Sequence, residues 1–221
     1  TDVAGLAPNW STEGIIEAAA RVADEVGLNG VSMRSVGREL GVEAMSLYHH
    51  LADKAVLLDA MVDSVFAEVE LPAADGDWRA GMRRRSVSLR AVLRVHPWAL
   101  PLMESRRAPG PANLAYHDAN IGCMRAAGFP PAEVAFAYAA IDAFVYGFVL
   151  QETSLPFESG QEAVQMITSE PFSDLLSPYP NMGWFAQEVI MTPGYSFERE
   201  FEPGLDLVLD GIERRLAAAL G

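Results

Sequence analysis

Apolar residues recur at intervals of three and four along nearly the whole chain, and no segment alternates with the period of two that a strand needs. The spacing predicts a first helix over Thr12–Val26. Ile15, Ile16, Ala19, Val22, Ala23 and Val26 form its buried stripe, Ser11 or Thr12 caps it, and Gly27 ends it. Shorter helices follow from Ser32 to Leu40 and from Glu43 to about His50. Asp53 then caps a longer helix whose apolar face is Leu58, Met61, Val62, Val65, Phe66 and Val69. Pro72 to Asp77, with Gly76 and two aspartates, breaks the pattern and predicts a boundary between a head, residues 1–71, and a body, residues 72–221. In the body, helices are predicted over Trp78–Val95, Pro111–Ala127 and Pro131–Thr153, with prolines at 97, 111, 130 and 131 marking their ends and starts. Residues 154–197 are rich in Pro, Ser and Gly, with short helical pieces predicted around 159–168 and 181–191. A last helix begins near Glu198 or Pro203 and ends at Leu220, with Leu205, Val208, Leu209, Ile212 and Leu216 on one face. The fold class expected is all-α.

Residues 32–51 carry the most specific local pattern. Two short helices that cross steeply need a small residue where they approach, a residue tolerating a left-handed backbone at the corner, and apolar residues between them. Gly37, Gly41 and the set Val36, Leu40, Val42 and Leu47 fill those places, with Gly37, Gly41 and Leu47 standing four and then six apart, as in a helix-turn-helix. An ordinary helical hairpin is the alternative on spacing alone. With Leu47 buried, Ala44, Met45, Ser46, Tyr48 and His49 point outward from the second helix. Small and apolar side chains of this kind can enter a DNA major groove and meet base edges or thymine methyls. Tyr48, His49 and Lys54 can reach phosphates, and Arg34 begins the first helix near the same face. For His49 and His50, partial burial without a ligand is an equal reading.

The predicted helix from Pro131 to Thr153 is apolar almost all round, with alanines at 135, 137, 139, 140 and 143 and Gly147 permitting close approach. It fits a helix with its own core on one side and a second subunit on the other, the last helix joining it in an intersubunit bundle. Ala139, Ala143, Tyr146, Gly147, Leu205, Val208, Leu209 and Ile212 are the candidate interface, and a central core helix is the alternative. His96, Trp98, Met103, His117, Asn120, Met124, Phe144 and Gln151 are candidates to line an apolar pocket with a few polar anchors. His117 and Asn120 lie one turn apart, so both can face one cavity; for each residue taken singly, core packing is the alternative. The arginines at 79, 83, 84, 85, 90 and 94 are expected on a solvated face.

Charge complicates the picture. The chain carries a net charge of −14, and residues 1–70 hold only Arg21, Arg34, Arg38 and Lys54 against twelve acidic side chains. A duplex-binding surface is usually basic, because phosphate neutralisation supplies non-specific affinity. The expectation is weak non-specific binding with steep salt dependence, the few cations sharing one face and two subunits each contributing a set. Cys123 is the only cysteine, which excludes an intrachain disulfide and a cysteine metal cluster; a buried inert thiol is expected before a thiol sensor. No apolar run reaches a bilayer span and no signal segment begins the chain, so a cytoplasmic protein without membrane contact is expected. There is no Ser/His/Asp signature, phosphate loop or metal-ligand spacing, so no catalytic residue, cofactor or metal is expected.

The run from Ile15 to about Val69 resembles the DNA-binding domain of the TetR family of transcriptional regulators. The resemblance rests on Glu25-Val26-Gly27, Ser32-Met33-Arg34, Leu40-Gly41-Val42, Ser46-Leu47-Tyr48-His49-His50, Asp53-Lys54 and Leu57-Leu58. It implies that Arg34, Ala44, Met45, Ser46, Tyr48, His49 and Lys54 stand where the family contacts DNA. Ala44-Met45 departs from the Gln-Pro common in tetracycline-resistance regulators, so a different operator is implied. His96-Pro97-Trp98, Tyr116-His117, Ala126-Ala127-Gly128-Phe129 and Val145 through Gln151 resemble the C-terminal domain of the tetracycline-repressor branch. The resemblance implies an N-terminal three-helix domain containing the helix-turn-helix and a C-terminal helical domain for ligand binding and dimerisation. The function implied is a homodimeric repressor, bound to a double-stranded DNA operator and released by a small-molecule effector. The alternative is a helical small-molecule-binding protein with weak or lost DNA binding.

Overall fold

The computed structural model describes residues 11–74, 77–105, 108–157 and 159–220, and among these it contains helices and no strand. Its residues form two compact units dividing between Val134 and Ala135.

The first unit begins with α1 (Thr12–Val26), capped by the Ser11 hydroxyl accepting from the Gly14 N–H and ended by Gly27 at φ 76°. α2 (Met33–Leu40) starts at a reciprocal capping pair, Ser32 and Ser35 each accepting from the other's backbone N–H. α3 (Ala44–Leu47) is shorter than the spacing predicted, because from Tyr48 to His50 the chain tightens into bonds to the third residue back. Asp53 caps α4 (Lys54–Ala67) by accepting from the Val56 N–H. α5 (Trp78–Val95), α6 (Ala99–Ser105) and α7 (Pro111–Ala126) follow. α6 has no forecast in the hydrophobic spacing, since seven residues make too short a stripe to read.

α1 packs on α2 and α4, while α4 also packs on α6 and α7. Leu57, Met61, Val62, Val65 and Phe66 are buried around much of the α4 circumference, so this helix belongs to the core of the head and to that of the following helices. For that reason the compact units do not divide at residues 72–77. The chain is non-helical from Leu71 to Ala74, and Asp75 and Gly76 of the expected break lie outside the described residues.

α8 (Pro131–Ser154) crosses from one unit to the next. The second unit continues with α9 (Gly160–Thr168), α10 (Glu170–Leu176), α11 (Pro180–Phe185), a π-turn over Ala186–Ile190, and α12 (Phe201–Leu220). Phe136 lies under Arg215, the Phe144 ring abuts Gly204, and Phe148 packs on Phe201. Those contacts ascend along α8 as they descend along α12, so the two helices run antiparallel. Ile141, Val145 and Phe148 of α8, with Leu205, Leu209 and Ile212 of α12, are buried in this unit. α8 is long and apolar enough to cross a bilayer by length and composition, with mean hydropathy 1.6 over an 18-residue window, yet only 28% of that window is buried within the chain.

Candidate functional site

The head builds one sharp corner. Gly41 sits at φ 70°, in the left-handed region, and the Val42 N–H closes back on the Gly37 carbonyl at 2.8 Å. A Cβ on Gly37 would lie 2.8 Å from the Val42 carbonyl oxygen, so only glycine lets α3 come this close to α2. Leu47 plugs the angle between them at 1% exposure, which turns its neighbours outward: Met45 is 72% exposed and Tyr48 46%. Ser46 and His49 are also exposed, whereas Ala44 is half-buried at the start of α3. Arg34 is exposed on the first turn of α2, and Lys54 occupies the first position of α4. A cation at a helix N-terminus is disfavoured by the helix dipole, so Lys54 is placed against local preference, as a group serving an outside partner would be. Arg21 is held by Glu39 at 3.1 Å, while Arg34, Arg38 and Lys54 have no ion pair among the described residues.

A second cluster ties α1 to the α5–α6 junction. One oxygen of Asp24 accepts from Trp98 Nε1 at 2.6 Å and from His96 Nδ1 at 2.8 Å. His96 Nε2 lies 3.4 Å from a Glu68 oxygen just past the end of α4. Both rings are buried and meet edge to face, 5.7 Å between centroids. The polar ends of His96 and Trp98, candidate pocket residues by sequence, are thus turned to Asp24 and Glu68.

Met103 and His117 do meet at a cavity, of about 210 Å³, whose wall includes Asp59, Val62, Asp63 and Asn113. Asp63 on α4 also caps α7, its two oxygens accepting from the backbone N–H of Asn113 at 2.8 Å and of Ala112 at 3.3 Å. Asn120 and Met124 lie deeper, fully buried, and are not part of that wall. Asn120 Nδ2 donates to the Tyr116 carbonyl at 2.8 Å, while its Oδ1 has no partner among the described residues. The Tyr116 hydroxyl is buried and also has no partner among the described residues. Arg85, expected on a solvated face, is instead fully buried, its guanidinium stacked 4.7 Å from the Tyr116 ring centroid. The run of neighbouring arginines hid it: Arg84 faces solvent and pairs with Glu70 at 3.3 Å, and one step along the helix turns Arg85 into the core.

The family description "Bacterial regulatory proteins, tetR family" matches residues 15–61, and "Tetracyclin repressor-like, C-terminal domain" matches residues 71–216. The chain belongs to the TetR family. As a family member it is a DNA-binding transcriptional regulator. The transcriptional repressor DrrR1 of Streptomyces coeruleorubidus is 32% identical, over 98% of this chain and 82% of that protein. The class A tetracycline repressor of Escherichia coli is 29% identical, over 91% of this chain and 89% of that protein. ActR of Streptomyces coelicolor, solved in complex with (S)-DNPA, superposes with a TM-score of 0.70 at 25% identity, covering 95% of this chain and all of that one.

Within this TetR-family chain the remaining candidates fall in the second unit. Phe144 is half-buried among Phe148 and Phe201, and Gln151 is exposed near the end of α8. Of the interface candidates, Ala139 and Ala143 are exposed and Tyr146, Gly147 and Val208 half-buried. Leu205, Leu209 and Ile212 are buried within their own unit, so the leucine stripe of α12 is occupied by its own chain. The outward apolar residue there is Leu207, 71% exposed. Sequence spacing found the buried stripe of α12 but not what covers it, since a partner's helix and the chain's own core ask for the same apolar face.

Proposed function

We propose that the chain is a homodimeric repressor that holds an operator with two copies of the α2–α3 corner and releases it when a small molecule binds the body. The observation that carries this reading is Leu47 buried beneath exposed Met45, Ser46, Tyr48 and His49 on a corner that glycine alone permits. Met45 and Ser46 meet base edges; Tyr48, His49, Arg34 and Lys54 hold phosphates, the α4 N-terminus adding its dipole at Lys54. Ala44 at the start of α3 packs near the backbone.

Dimerisation is supported by the outer face of α8. Phe136, Ala139, Ala143, Gly147 and Leu150 recur at intervals of three and four, and all are exposed or half-buried in one chain. A second α8–α12 pair would cover this face in a four-helix bundle and bring two heads to half-sites about one DNA turn, ~34 Å, apart. The same face accounts for the apolar character of α8 without a membrane, and a regulator of genomic DNA acts in the cytoplasm.

The effector site is placed at α4–α7, where His117, Met103 and Asn113 line the cavity and the unpartnered groups of Tyr116 and Asn120 lie close by in sequence. A ligand that displaced α7 would pull on α4 through the Asp63 cap, tilting the head. It induces only as far as it binds the tilted state more tightly. ActR, crystallised with a small molecule, supports a ligand-responsive body.

The acidic head favours a second reading, a ligand-binding protein with lost DNA binding. Selection from random duplexes followed by gel shift separates the two. The repressor reading expects a recovered palindrome whose binding is abolished by Tyr48→Ala; recovery of no sequence would establish the second reading.

A further inference from the structure

The four residues of α3 divide between two sides. Ala44 lies against α2, where a Cβ built on Gly37 would stand 3.3 Å from the Ala44 nitrogen, and Leu47 is buried between the two helices. Two positions on a helix subtend about 200°, so burial of Leu47 turns Met45 to the opposite side. Met45 is accordingly 72% exposed, and the smaller Ser46 is exposed beside it. Among residues 44–47, Met45 is the one long side chain that the corner projects outward.

What it can recognise follows from what stands around it. Arginine, lysine, asparagine and glutamine make the two-point hydrogen-bonded contacts that single out guanine or adenine in the major groove. Residues 42–50 contain none of these four types. Glu43, exposed at the start of α3, offers only an acceptor, and Ser46 a single hydroxyl. The corner's arginines, Arg34 and Arg38, belong to α2. A thioether pressed on the polar edge of guanine, adenine or cytosine would strip water from donors and acceptors and return no strong hydrogen bond. Thymine turns a methyl group into that groove, and Met45, unbranched and polarisable, can settle on it by apolar contact.

We propose that Met45 reads the 5-methyl group of a thymine in each operator half-site, so that this position is discriminated by apolar contact instead of hydrogen bonding. The proposal rests on the reading of the chain as an operator-binding repressor and adds the base that one side chain selects.

The probe is the duplex recovered by selection from random sequences, remade with deoxyuridine in place of thymine at one symmetric pair of positions at a time. Uracil pairs as thymine does and lacks only the methyl. At one such pair, the affinity of the full chain, measured by fluorescence anisotropy at fixed salt, should fall about fourfold per methyl, or roughly 15-fold for two half-sites. Met45→Ala should bind the thymine duplex more weakly by a similar factor and no longer distinguish uracil from thymine there. Met45→Leu, still apolar, should keep the distinction. Residue 45 is exposed, so neither variant removes core packing. A merely structural role would weaken both duplexes equally and leave the parent's ratio unchanged. A recovered duplex that tolerates uracil at every position overturns the proposal and leaves the repressor reading intact, as does a uracil effect that persists in Met45→Ala. Recovery of no duplex removes both.

Discussion

Asp24→Ala removes the one acceptor that Trp98 Nε1 reaches at 2.6 Å and His96 Nδ1 at 2.8 Å. Hydrogen bonds to a charged group contribute about 1.5–3 kcal/mol each, and a buried donor left unmatched costs about 1–3 kcal/mol. Trp98 is 6% exposed, so its N–H would lose its acceptor with little access to water. The Asp24 side chain is 27% exposed, however, which lets solvent replace part of the loss. The low end of each range applies, giving a destabilisation of about 2–3 kcal/mol. For a chain of this length that lowers the melting temperature by roughly 5–10 °C. Asp24→Asn keeps a carbonyl for Trp98 and loses only the charge, so it should cost about 1 kcal/mol. Urea unfolding at one fixed protein concentration measures both, since a dimer's stability depends on concentration. An alanine variant within about 0.5 kcal/mol of the parent would refute the claim that this contact fastens α1 to the α5–α6 junction.

Three further perturbations have expected outcomes. Gly37→Ala drives a methyl against the Val42 carbonyl and should destabilise the chain by about 1–3 kcal/mol with loss of operator binding, measured by thermal melts and gel shift. Tyr116→Phe deletes a buried hydroxyl without a partner, so it should raise the melting temperature by about 2–4 °C; a lower one would mean the hydroxyl is satisfied. Ala143→Glu puts two carboxylates into the proposed α8 interface and should yield monomers by sedimentation, where an unchanged dimer mass would place the interface elsewhere.

How far the sequence could be read depended on what each residue type reports. The bounds of α1 and α5 were legible because a cap, an uninterrupted stripe and a stop all agree there. The corner at Gly41 was legible because conformational need and residue type coincide. What periodicity could not convey was what covers an apolar face, as with the Leu205–Leu209–Ile212 stripe, which the chain's own core occupies. Nor could it convey polar contacts across long separations. The contacts of His96 and Trp98 with Asp24 left no mark in the sequence, because that partner lies more than seventy positions away on a helix whose exposed face looked merely solvated. Arg85 was misread for the opposite reason: its neighbours' surface character was extended to it. The short α6 and α10 offered too few turns for any period to register.

The central claim, that Lys54 and the outward side chains of α3 face a duplex, is tested most directly by the salt dependence of binding to the selected operator. Fluorescence anisotropy across a series of salt concentrations gives the slope of log affinity against log salt for the parent and for Lys54→Ala. If each subunit's Lys54 meets a phosphate, the dimer variant should bind more weakly at every concentration, with a slope shallower by about 2, one for each subunit. An unchanged slope and affinity would remove Lys54 from the interface and contradict the orientation assigned to the head.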